Sequence, residues 1–316
     1  MNQNDTRLTK RTPQEVTALI RTFFAHMQIR LTEYQSHEDL LGSYAVHLQP
    51  VHSSSRAGFC GTGITAARAR AGAYLQCMCK LCTQPDLPLW SLRKKDICTD
   101  GDPSERITCA GSTPAEALVQ GISDLLRRKA AAGWQDSFAA PGIPESLPAG
   151  YPEANRMYRL LKEQYGERIR LSDISGDGIQ FSAMLHLQDP QKYEPELTYS
   201  SHPDTGFALE RLFVNAVNGS SFSEALYLGD YDAEQCLSAM LHALFRQGYD
   251  LLIGDCSCAG LSIYQLMIPG MAVRMQCHPL PDTLAFHAAI QRCRAYRLAH
   301  PSDPEQSFAA LTALCG

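Results

Sequence analysis

The motif Thr-Pro-x-Glu occurs twice, at Thr12-Pro13-Gln14-Glu15 and at Thr113-Pro114-Ala115-Glu116. Each reads as a helix start. The threonine caps the first free N–H groups, the proline sits where a missing N–H costs nothing, and the glutamate can reach back to the cap. The first predicts a helix through Val16, Ile20 and Phe23, which are apolar at helical spacing, and the second a helix to about Ala131. An Ala-rich helix is expected over roughly Thr65 to Leu81, because alanine has the best helix propensity. Further helices are predicted over Arg156 to Tyr165, Thr205 to Val217, and Ala233 to Gln247, the last ended by Gly248.

Strand signals lie between these helices. Ser43 to Leu48 alternates apolar and polar residues. Ile169 to Leu187 reads as two strands around the turn Ser175-Gly176-Asp177-Gly178. Tyr249 to Asp255 and Ser262 to Ile268 read as buried strands, the second closed by Pro269-Gly270. The small-residue run His52 to Gly63 reads as a loop. The four prolines between Ala139 and Pro152 mark a linker or a long surface loop. No short repeat or low-complexity tract appears. The mixture is α+β, with mixed or antiparallel sheets packed against helices.

With 316 residues, 45% hydrophobic and 19% charged, the chain can bury a large core as one big domain or two packed halves. Its net charge of −5 and the lack of a basic run make nucleic acid a poor partner. Met1 to Lys10 has no apolar signal core and no stretch is apolar enough to span a membrane, so a soluble, cytoplasmic protein is expected. Twelve cysteines spread along such a chain should mostly be small buried hydrophobes.

Three segments in order resemble the YcaO family. The first is Gly61-Thr62-Gly63-Ile64-Thr65 with Ala69-Arg70-Ala71-Gly72-Ala73-Tyr74-Leu75-Gln76, similar to the family's glycine-lysine-glycine loop and the helix behind it. The second is Thr113 to Ala130, similar to the helix carrying the family's second acidic motif. The third runs from Leu228-Gly229-Asp230-Tyr231-Asp232 through Gly248-Tyr249-Asp250 and Asp255-Cys256-Ser257 to Met267-Ile268-Pro269-Gly270-Met271. Ser201-His202-Pro203-Asp204 with Ala208-Leu209-Glu210-Arg211 fits the segment between. The resemblance implies a YcaO-like domain over 41–271 (surface loop 139–152), an N-terminal helical segment 1–40 and a C-terminal helical segment 272–316. It also implies a chemistry: ATP phosphorylates a peptide-backbone amide oxygen, a thiol, hydroxyl or sulfide then attacks, and azolines or thioamides result in ribosomally made peptides. Magnesium bridges the phosphates to glutamates on two helices.

The family positions are mostly substituted here. The loop lysine falls on Thr62, flanked by Gly61 and Gly63. The first glutamate pair falls on Gln76 and Cys79, a neutral amide and a soft thiol that suit magnesium poorly. The second pair falls on Asp124 and Arg127, followed by an arginine retained as Arg128. A later glutamate falls on Asn215, and the arginine before the proline-glycine turn on Gln265. Ala69 to Leu81 contains no acidic residue at all. The resemblance therefore makes ATP and magnesium possible cofactors that the residues themselves argue against. Either the site is dead, or its positive side chains hold an anion without metal.

Other constellations carry less. Cys77, Cys79 and Cys82 lie about 200° and then 300° apart around a helix and do not converge as a knuckle would. Together with Cys256 and Cys258 they are weak candidates for a thiolate metal site, and Cys256 and Cys258 for a reactive thiol, which would need a lowered pKa. His186, His242 and His287 read as ordinary packing or surface histidines, and Asp173 and Asp177 as turn residues. No Gly-x-Ser-x-Gly elbow or Walker loop is present. The segment Phe308 to Gly316 lacks the proline-rich tail of azoline-forming relatives, which argues against that branch.

The leading expectation is a non-catalytic partner or scaffold subunit of a peptide-backbone modification system. Its partners would be a precursor peptide or protein substrate and an active YcaO or other biosynthetic subunit, as a homo- or heterodimer. The alternatives are a divergent active cyclodehydratase or thioamide-forming enzyme using Asp124, Arg127 and Arg128, and a cysteine-based sulfur or metal protein on the same fold.

Overall fold

The computed structural model describes residues 10–36, 39–51, 58–84, 86–94, 96–98, 102, 105–134, 147, 150–176, 178–188, 196–218, 226–227, 230–271 and 284–300. Helix α1 (Pro13–His26) is opened by a complete capping box. Glu15 N–H donates to the Thr12 hydroxyl at 3.3 Å, and Thr12 N–H donates to the Glu15 carboxylate at 2.7 Å. Its buried face carries Val16, Ile20, Phe23 and Phe24, each stabilising the fold by about 1.5–3 kcal/mol when fully buried.

Three sheets follow among the described residues. In the first, β1 (Leu31–Gln35), β2 (Tyr44–Pro50) and β3 (Phe59–Gly63) are antiparallel, and β10 (Leu226–Tyr227) lies parallel to β3. The second is antiparallel throughout, in the order β5 (Ile97–Cys98), β4 (Leu89–Ser91), β11 (Leu252–Asp255), β12 (Ser262–Met267) and β6 (Ile107–Gly111). The third is a meander of β7 (Ile169–Asp173), β8 (Phe181–Leu187) and β9 (Glu196–His202). The remaining helices are α2 (Ala66–Cys82), α3 (Pro114–Trp134), α4 (Pro152–Tyr165), α5 (Thr205–Val217), α6 (Ala233–Arg246) and α7 (Leu284–Ala299). The architecture is the α+β mixture expected.

Several local expectations are corrected. Phe59–Gly63, expected as loop, is the fully buried strand β3. Its glycines serve close packing: a Cβ on Gly61 would lie 2.1 Å from both Ala69 O and Ala73 N, so strand and helix touch main chain to main chain. Strand β9 is not legible in its polar sequence. Pairing with β8 carries Ser200, Ser201 and His202 inside. The expected strand Tyr249 to Asp255 shortens to Leu252–Asp255, because Tyr249 N–H closes the end of α6 on Leu244 O and Asp250 accepts from Ser91 and Arg93. Glu116 does not complete a second capping box; its carboxylate accepts from Ser112 N–H and hydroxyl instead. The expected turn aspartate Asp177, the segment Phe308 to Gly316 and most of 139–152 lie outside the described residues.

The element that positions the site is a repeated one. Strands β3, β6 and β9 each lead into a helix (α2, α3, α5) after two residues, and the second of the two is a polar cap: Thr65, Thr113 or Asp204. Each helix packs on its own strand and on the strand of the next unit: α2 on β6, α3 on β9, and α5 back on β3. The three units thus close a ring. One apolar core joins α1, α2 and α7 through Ile20, Phe24, Met78 and Phe286. A second lies between α3, α6 and the second sheet, and a third between α4, α5 and the third sheet. No described helix is long and apolar enough to cross a membrane.

Candidate functional site

The ring makes equivalent helix positions meet. Counted from the first residue, the eleventh is Gln76 in α2, Asp124 in α3 and Asn215 in α5. All three are positions on which the resemblance places family carboxylates. Their common distance from the cap gives them one angular position on their helices, about 100° per residue. The seventh residues are Gly72, Gln120 and Arg211.

Across the α5–β3 contact the Thr62 hydroxyl donates to Asn215 Oδ1 at 2.8 Å, both residues buried. On α3, Asp124 accepts from Arg127 at 2.9 Å (Nε) and 2.6 Å (Nη2) and pairs with Arg128 at 3.2 Å. Burial alone would raise the Asp124 pKa, but Arg127, Arg128 and Arg211 in turn pull it well below the carboxylate range. Two guanidiniums thus contact one carboxylate, and a third acts on it electrostatically.

Sequence reasoning assigned no role to Arg211 or His202. Arg211 is 2% exposed, and its Nε and Nη1 have no hydrogen-bond partner among the described residues. Burial, then the Arg127 charge, push its pKa down to about 10, with Asp124 acting the other way. His202 is 1% exposed, and its Nδ1 accepts from Asp204 N–H at 3.0 Å. The neutral ring therefore carries its proton on Nε2, which is also without a partner. Burial first and Arg211 second push the His202 pKa down to about 3. The signal that finds these residues is the repeated strand, two-residue link and helix, which marks Arg211 as the counterpart of Gln120.

A cleft opens next to this cluster, lined among others by Lys10, Arg68, Glu116, Gln120, Asp230 and Tyr231. Lys10 pairs with Glu116 at 3.7 Å, and Arg68 with Asp230. Tyr231 lines the cleft and also packs on the cluster. Its ring meets His202 edge-on at 4.5 Å, and Arg211 acts electrostatically on its hydroxyl.

The residues present do not fit magnesium. Gln76 Oε1 already accepts from Cys60 N–H at 2.5 Å, and Asn215 Oδ1 from Thr62. Asp124 is taken up by two arginines, and Cys79 is a buried soft thiol. A hard cation needs several oxygen ligands free to coordinate it and repels guanidiniums. Gln265 lies on β12 beside Cys256, whose thiol faces its Oε1 at 3.9 Å. Cys79, Cys256 and Asp124 all act electrostatically on the buried Cys109 thiol.

The remaining thiols lie toward α7. Cys77 faces Cys293, and the Cys82 and Cys258 thiols are hydrogen-bonded to each other. Burial raises the Cys256 pKa to about 12, while the Cys82 contact lowers that of Cys258. Among the described residues no group of three or more His, Cys, Asp or Glu side chains is arranged to hold a metal ion.

The YcaO cyclodehydratase family model, described as ATP- and Mg2+-binding, matches residues 108–220, from β6 to just beyond α5. Among solved structures, YcaO from Methanopyrus kandleri bound with AMPPCP and Mg2+ superposes with a TM-score of 0.64 at 12% identity, over 86% of this chain and 96% of that one. A heterocyclase in complex with substrate and cofactor gives 0.59 at 14% identity over 83% of this chain; the match spans 52% of the heterocyclase. At such identities the likeness concerns the fold. No curated protein matches the chain.

Proposed function

We propose that the chain belongs to the YcaO family, whose model matches residues 108–220, and that it serves a peptide-backbone modification system as a non-catalytic subunit, holding a precursor peptide or an active YcaO partner. The observation that carries this reading is the state of Asp124. The family reaction draws on carboxylates that hold magnesium against the triphosphate, and here the one carboxylate at those positions is neutralised by Arg127 and Arg128. Phosphoryl transfer depends on cations placed at the transferred group, and the amide and thiol at the other positions do not supply ligands for them. The fold it shares with a substrate-bound heterocyclase supports a peptide as what the retained surfaces hold.

The competing reading is an enzyme that activates the amide through Asp124, Arg127 and Arg128 in altered geometry. ADP release from magnesium–ATP separates the two. The purified chain, alone and with the precursor peptide from its gene neighbourhood, is expected to release none above a no-protein blank while co-eluting with that peptide or with a neighbouring active YcaO. Sustained ADP release that disappears in Asp124→Asn would overturn the scaffold reading and install the enzyme.

A further inference from the structure

We infer that Cys82 and Cys258 form a redox-active dithiol, which hydrogen peroxide closes to a disulfide between the end of α2 and the turn joining β11 to β12. Both are free thiols, and they share a hydrogen bond although their elements lie far apart in sequence. The backbone is fixed on both sides of the pair. Cys82 is the last residue of α2. Cys258 opens a tight turn: its N–H donates to Leu261 O at 3.2 Å, and Leu261 N–H donates to Cys258 O at 3.0 Å. The two central residues, Ala259 at φ 54° and Gly260 at φ 71°, are left-handed, as the tightest hairpin turns require. Arg297 of α7 ties the two sides together, donating to Cys82 O at 3.3 Å and to Asp255 O at 3.2 Å.

The pair is chemically asymmetric. The Cys82 S–H donates to the Cys258 sulfur, and the Arg297 charge acts on that sulfur as well. Both favour a thiolate on Cys258 and leave the proton on Cys82, so Cys258 is the nucleophile and Cys82 the resolving thiol. Access follows the same order. Cys258 keeps 6% exposure beside the exposed Gly260, whereas Cys77, Cys256 and Cys293 are 0% exposed. The Cys258 thiolate attacks a peroxide oxygen, the O–O bond breaks, and a sulfenic acid and hydroxide form. The Cys82 sulfur then attacks the sulfenic sulfur. The S–O bond breaks, the S–S bond forms, and the oxygen leaves as water with the Cys82 proton. In total the two thiols give up two electrons and two protons, and the peroxide becomes two waters.

The inference stands apart from the scaffold and enzyme readings, since it needs neither nucleotide nor peptide. The test treats the reduced native chain with a small excess of hydrogen peroxide, blocks the remaining thiols in guanidinium, and maps cross-linked peptides by mass spectrometry. The expected main product is a Cys82–Cys258 peptide pair lighter by two hydrogens and reopened by dithiothreitol. The oxidised chain should also unfold at a higher temperature than the reduced one, because the link constrains the unfolded chain. In Cys82→Ala the reaction should stop at a sulfenic acid on Cys258, captured by dimedone, and Cys258→Ala should yield neither product. A main disulfide from Cys258 to Cys256 or Cys293 overturns the assignment, as does a Cys82 and Cys258 pair still reduced after treatment. The cross-link map of the parent needs no variant, so the test stands even if a substitution prevents folding.

Discussion

Thr62 and Asn215, 153 residues apart, share a buried hydrogen bond of 2.8 Å in which the hydroxyl donates to the amide oxygen. It ties the last strand-helix unit of the ring to the first. Leaving one partner buried and unsatisfied costs about 1–3 kcal/mol. Thr62→Val and Asn215→Ala should each lower the urea-unfolding free energy by that amount, and the double variant by clearly less than the sum. Strict additivity would mean that the pair does not couple the two units.

Arg211→Met should raise stability. Apolar replacement of a buried charge of similar volume is commonly neutral or stabilising by about 1–4 kcal/mol, and the change also removes repulsion with Arg127. Urea-unfolding free energies of parent and variant at neutral pH check this, and a variant clearly less stable than the parent would contradict it.

Asp124→Asn should destabilise by about 3 kcal/mol at neutral pH, the usual cost of leaving a buried charge partner alone. The folded-state pKa of Asp124 is depressed. Its contribution is therefore complete above the unfolded value of about 3.9 and is lost as pH falls further, through the folded pKa. Urea midpoints of parent and variant should converge below pH 4.

His202 acts in a different window. Its folded pKa is about 3 against roughly 6.5 in the unfolded chain. Between those values the unfolded state binds a proton that the folded state refuses, so stability rises with pH from about 3 to about 6.5. His202→Gln should flatten that rise; a slope identical to the parent's would show that His202 titrates normally.

Burial holds the thiols of Cys60, Cys256 and Cys293 up at about 12 and keeps Cys77, Cys82 and Cys109 protonated as well. Peptides carrying these residues should remain unmodified by iodoacetamide at pH 7.5 in the native protein and be alkylated once guanidinium is added. Fast native alkylation of Cys256 would contradict the packing described.

The helices were legible because caps and apolar spacing are local: Thr12, Thr65, Thr113, Asp204 and Asp232 each stand just before the helix they open. Motif order singles out positions 76, 79, 124, 127, 215 and 265 as those that the resemblance assigns to the family site. What they do to one another was not. Whether Asp124 meets Arg127 or a cation depends on side-chain rotamers, and Arg211 gains its meaning only when the ring sets it beside Arg127 and His202. Strand β9 was hidden because Ser200, Ser201 and His202 are polar residues buried by tertiary pairing, against their usual preference for solvent. Strand β3 was hidden because glycine at a contact between backbones looks the same in sequence as glycine in a loop.

That contact bears on which features can vary. At Gly61 the spacing of strand and helix is set by main chain against main chain, a separation indifferent to which side chains project from α2 further along. Side chains at positions such as Gln76 and Cys79 can therefore be exchanged without moving either element, so that chemistry and geometry vary separately. Carboxylates installed at 76, 79, 127 and 215 would likewise enter a backbone whose spacing does not depend on them.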